Sequence, residues 1–140
     1  MYLLEADVHS KTIHSMNAYG AVPLHNACDA HFSTESDAIG VIQLLLDSDH
    51  DKKTIYYRTS DGDLPIHYAC WRIQPFEVIK TLLEMDTKGS TIFTRNCHGR
   101  VPLQTACHRN APPNILNLLL EYGKKDTEYV WGAFLTPCDN

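Results

Sequence analysis

The sequence predicts an all-α fold, a helix-turn-helix solenoid of about three repeats plus a partial N-terminal repeat. Three observations lead there. The first is a pattern, Gly-x-(Val/Leu)-Pro-(Leu/Ile)-(His/Gln)-x-Ala-Cys, that occurs three times, starting at Gly20, Gly62 and Gly99. The second is a leucine pair, Leu3-Leu4, Leu45-Leu46 and Leu82-Leu83, each standing 17 residues before a pattern glycine. The third is a Thr-Ile pair in the same register, at Thr12, Thr54 and Thr91. Self-similarity of this kind marks a repeat architecture, in which each unit buries its apolar face against its neighbours.

Taken in order, residues 1–16 read as the end of a second helix and the connection after it. Repeat one covers residues 17–58, repeat two 59–95, and repeat three 96 to about 132; all form one domain, 1–140. Each glycine suits a tight turn with positive φ. Pro23, Pro65 and Pro102 suit the first position of a short helix, where no N–H is needed. Second helices are predicted to start at Asp37-Ala38, Gln74-Pro75 and Ala111-Pro112. Their cores are Ile42, Leu45 and Leu46, then Ile79, Leu82 and Leu83, then Leu116, Leu119 and Leu120, at the three-and-four spacing of one helical face. Cys28 to Leu45 spans 17 residues, against 12 for Cys70 to Leu82 and for Cys107 to Leu119, so repeat one carries an insertion near residues 31–36. Gly123 is expected to end the last helix. Residues 124–140 break register and read as a tail or cap.

The Pro-Leu-His turn, the Ala-Cys pair and the leucine pair together resemble the ankyrin repeat over about residues 1–123. One departure stands out. The family usually has threonine before the proline, whereas this chain has Val22, Leu64 and Val101. None has a side-chain oxygen to cap a helix, a loss of about 1 kcal/mol per helix. His25 and His67 also lose a hydroxyl partner, and repeat three has Gln104 in their place. The departure therefore predicts an interrupted hydrogen-bond network between repeats.

The resemblance implies a protein-binding scaffold without catalysis, its surface on the turn tips and the exposed ends of the first helices. In this chain those positions are Ala18, Tyr19, Ala21, Asp29 and Ala30 in repeat one. In repeat two they are Ser60, Asp61, Asp63, Trp71 and Arg72, and in repeat three Cys97, His98, Arg100, His108 and Arg109. Trp71 holds a position that is Asp29 and His108 in the other repeats, which points to an exposed residue. The charges on these positions predict a face running from acidic in repeat one to basic in repeat three. A structural segment of a longer repeat array is the first alternative function.

A Cys/His metal-binding or redox protein is the second. His25, Cys28, His31, His67 and Cys70 have helical-turn spacing, but their repetition is better explained by core packing than by a zinc site or a Cys–His catalytic pair. The formal net charge of −5 gives no electrostatic reason for a nucleic-acid or acidic-membrane partner. There is no apolar run long enough to span a bilayer, and the N-terminal residues do not read as a secretory signal. Five cysteines, three at one repeat position, point to buried small residues in a reducing, intracellular compartment. The incompletely covered N-terminal edge predicts fraying or self-association at residues 1–16.

Overall fold

The computed structural model describes residues 14–123. Their α-helices form three pairs. Helices α1 (Pro23–Cys28) and α2 (Glu35–Ser48) belong to repeat one, α3 (Pro65–Arg72) and α4 (Phe76–Met85) to repeat two, and α5 (Pro102–His108) and α6 (Pro113–Gly123) to repeat three. The first helices α1, α3 and α5 pack in one layer and the second helices α2, α4 and α6 in another. The all-α solenoid is thus observed, with no strand among the described residues. Most of the partial repeat, residues 1–13, and the tail, 124–140, lie outside the described residues.

One contiguous core runs between the layers. It includes Leu24 and Cys28, Ile66 and Cys70, Leu103 and Ala106, and from the second helices Ile42, Leu46, Ile79, Leu82, Leu83 and Leu119. The small Ala-Cys pairs let neighbouring first helices approach closely. Burial pushes the thiols of Cys28 and Cys70 far up, so both stay protonated.

The turn glycines have φ of +76° at Gly20, +78° at Gly62 and +76° at Gly99. Each turn is closed by a polar side chain three residues earlier. Asn17 Oδ1 accepts from the amides of Tyr19 and Ala21, and Asn96 Oδ1 from those of His98 and Arg100. Thr59 Oγ1 does the same for Asp61 and Asp63. Main-chain hydrogen bonds then tie tip to tip. Ser60 N–H donates to the Tyr19 carbonyl, and Cys97 N–H to the Asp61 carbonyl, each at 2.8 Å.

Two sequence expectations are corrected. The second helices start where local capping puts them, not at the predicted pairs. Helix α2 begins two residues early, at Glu35, because Thr34 Oγ1 caps it by accepting from Asp37 N–H at 3.1 Å. Helix α4 begins at Phe76 with Pro75 as its cap residue, and α6 begins at Pro113.

The second correction concerns the missing threonines. The network between repeats is intact because histidine performs the cap itself. His25 Nδ1 accepts from Val22 N–H at 3.0 Å, and His67 Nδ1 from Leu64 N–H at 2.9 Å. That leaves each ring neutral with its proton on Nε2. His25 Nε2–H then donates across the junction to the carbonyls of Tyr57 and Asp63, and His67 Nε2–H to that of Arg100. Gln104 Oε1 copies the cap at Val101 N–H, 2.9 Å away. One half of a capping box thus replaces the other.

A further repeated device holds the loop after each second helix. Asp49 Oδ2 accepts from both the amide and the hydroxyl of Thr54, at 2.8 and 2.7 Å. Asp86 Oδ2 does the same for Thr91, at the same two distances. These clamps start the short 3-10 turns Thr54–Tyr56 and Thr91–Phe93. They explain the Thr-Ile pairs in the sequence.

Candidate protein-binding face

The ends of the first helices and the turn tips converge on one side of the solenoid. Ala18, Tyr19, Ser60, Asp61, Arg72, Cys97, His98 and Arg109 are exposed there, and Asp29, Ala30, Asp63, Arg100 and His108 are half-buried. Ala21 is a correction. It is 5 % exposed, buried beside Val22 in the turn closed by Asn17.

Five of the predicted residues line a single groove of about 240 Å³ between repeats two and three: Asp61, Asp63, Trp71, His98 and Arg100. Four others line it that sequence reasoning did not select, namely His67, Tyr68, Asn96 and Thr105. Tyr68 was findable, since it precedes Trp71 by three and shares its helical face. Asn96 was findable too, as the repeat equivalent of Asn17 and Thr59. It donates from Nδ2 to Asp63 Oδ1 at 2.9 Å, joining the two walls.

Trp71 is 37 % exposed, and two residues of repeat three contact its ring. The His108 ring stacks on it at a centroid distance of 5.8 Å and an angle of 19°. The Arg109 guanidinium sits 4.5 Å from the ring centroid. Arg109 Nε also donates to the Trp71 carbonyl at 3.0 Å. One repeat earlier, Arg72 reaches back in the same way and pairs with Asp29 at 2.8 Å.

These links revise the expected charge gradient. Asp29 of repeat one is matched by Arg72 of repeat two. Asp61, Asp63 and Arg100 line one groove, so both signs of charge meet there.

Four of the five residues weighed as metal ligands have structural roles, and the fifth, His31, is exposed. His25 and His67 cap helices, and Cys28 and Cys70 are fully enclosed. Among the described residues no group of three or more His, Cys, Asp or Glu is placed to hold a metal ion. None of the described helices is long and apolar enough to cross a membrane.

The three stacked helix pairs define a helical-repeat fold. Residues 31–129 match the family model for ankyrin repeats (3 copies), and the chain belongs to the ankyrin-repeat family. Ankyrin repeats in general mediate protein–protein interaction. The match begins after α1, yet the turn at Gly20 and the cap at His25 have the geometry of the later repeats. No curated protein matches the chain.

Proposed function

We propose that this protein is a non-catalytic scaffold that binds a partner protein in the groove between repeats two and three. The observation that carries the reading is Trp71, a large aromatic side chain left accessible at the groove while His108 and Arg109 hold it in place. Tryptophan is enriched among residues that dominate binding energy. A ring already held in one position loses little entropy when a partner covers it. The groove walls add orientation, since Arg100 favours an acidic group and Asp61 a basic one. The partner segment therefore presents an apolar side chain to Trp71 with an acidic residue near Arg100. Cys28 and Cys70 are fully buried core residues, the packing use of cysteine that suits a reducing intracellular compartment.

Affinity capture with the full chain tests this, with Trp71→Ala and Leu44→Lys run in parallel. A partner lost with Trp71→Ala and kept with Leu44→Lys, at equal thermal midpoints, supports the groove. Equal capture by both variants removes it.

A further inference from the structure

Repeat two differs from its neighbours at the turn tip. The turn glycine is flanked by Tyr19 and Ala21 in repeat one and by His98 and Arg100 in repeat three, but by Asp61 and Asp63 in repeat two. Both carboxylates stand on braced backbone. The amides of Asp61 and Asp63 donate to Thr59 Oγ1, the Asp61 carbonyl accepts from Cys97 N–H, and the Asp63 carbonyl accepts from His25 Nε2–H. Asp63 Oδ1 takes a hydrogen bond from the neutral amide of Asn96. Among the described residues neither carboxylate has an ion pair, whereas Asp29 on the same side of the solenoid is matched by Arg72.

Tyr68 and Trp71 line the same groove as these two carboxylates. Burial pushes the Tyr68 hydroxyl up from its ordinary pKa. A hydrogen bond with Thr59 opposes that, and the charges of Asp63, Asp29 and Asp61 add to it, so the field of all three reaches the ring. The groove's own cation is Arg100, and His67 adds no charge because its ring is neutral. The molecule also shows how arginine is held on this side. Arg109 sets its guanidinium 4.5 Å from the Trp71 ring centroid, and Arg72 donates from Nε to Asp29 at 2.8 Å. One uses an aromatic ring and the other a carboxylate. The groove offers both kinds of contact together.

Resting on the groove reading above, we propose that the groove contains a subsite for an arginine side chain of the partner, bound by Asp61 and Asp63 with its stem against Tyr68. A guanidinium is planar, carries five donors in a fixed fork and stacks on aromatic rings, so it matches two carboxylates beside a phenol better than a compact ammonium does. The partner segment therefore carries an arginine as well as the apolar residue that meets Trp71.

The test is nuclear magnetic resonance titration of the full chain, read at the amides of Asp61, Asp63 and Tyr68 and at the Trp71 indole. The probes are the Nα-acetyl methylamides of arginine, of lysine and of citrulline, the neutral isostere of arginine. Arginine should saturate the shifts at a concentration roughly fivefold below citrulline. That difference should vanish in the Asp61→Asn, Asp63→Asn double variant, in which asparagine keeps an oxygen for Asn96. Equal midpoints for arginine and citrulline, or no saturable shift at all, overturn the subsite. A lysine midpoint equal to that of arginine overturns its assignment to a guanidinium. Affinity capture separates the two readings. A partner kept by the double variant and lost with Trp71→Ala overturns the arginine subsite and leaves the groove, whereas a partner kept by both overturns the groove as well.

Discussion

Arg109 holds Trp71 twice, by a guanidinium 4.5 Å from the ring centroid and by an Nε–H donated to the Trp71 carbonyl at 3.0 Å. The two contacts cross the junction between repeats two and three, so one residue shapes the groove and braces the array. An exposed cation–π contact contributes about 0.5–1 kcal/mol, and the hydrogen bond from a charged donor adds to it. Arg109→Ala should lower stability by about 1–2 kcal/mol in denaturant titration. It should also broaden or shift the Trp71 indole N–H resonance. An unmoved indole signal would show that His108 alone positions the ring.

Arg100 is the groove charge best separated from folding. Its carbonyl accepts from His67, but that bond survives any side-chain change at the position. Arg100→Glu should slow association with a captured partner by roughly tenfold at low salt, and by less at high salt. The thermal midpoint should stay nearly constant, because partly exposed charges contribute little to folding. Stopped-flow binding at two ionic strengths checks both parts.

Acid sensitivity follows from the histidine caps. Burial is the main force lowering the pKa of His25 and of His67, outweighing nearby carbonyls and Asp63, which favour protonation. The unfolded chain therefore takes up protons first as pH falls, near the reference value of about 6.5. Stability is fully present above that pH and is lost progressively below it, as pH falls toward the lowered folded pKa values. Asp86 adds a separate loss at lower pH. Burial raises its pKa, but bonds from Thr91, Tyr56 and Gly89 outweigh that and leave it depressed. His67→Gln copies the natural cap at Gln104. It should shrink the loss below pH about 6.5 to the part that His25 contributes and leave the more acidic one, as measured by midpoint against pH.

The turn glycines are alike in φ and unlike in surroundings. A Cβ on Gly62 would lie 3.1 Å from Cys97 N and 3.3 Å from Asn96 Cα, in the next repeat's backbone, whereas one on Gly99 meets nothing within 4 Å. Both substitutions by alanine incur the left-handed strain of about 1 kcal/mol. Gly62→Ala should cost roughly twice as much as Gly99→Ala, since the tip-to-tip bond at Cys97 must also shift. Equal losses in urea titration would mean that the junction yields freely.

The architecture was legible in the sequence because repetition needs no knowledge of contacts. Gly20, Gly62 and Gly99, the prolines behind them and the leucine pairs state a local conformation and an apolar face three times over. The exposure of Trp71 was legible for the same reason, since its repeat equivalents are Asp29 and His108. The starts of the second helices were less so, because Thr34 and Pro75 compete with neighbouring residues as caps.

What the sequence by itself determined was therefore the repeat register, the helix–turn–helix order and most of the exposed face. Each follows from local backbone preference and from which side chains can leave water. What only the tertiary structure decided lies between repeats. The histidines' second nitrogen, the reach of Arg72 to Asp29 and of Arg109 to Trp71, and the meeting of Asp61 with Arg100 in one groove join residues more than thirty positions apart. Those pairings depend on the distance and angle at which one repeat stacks on the next, and packing of the whole core sets both.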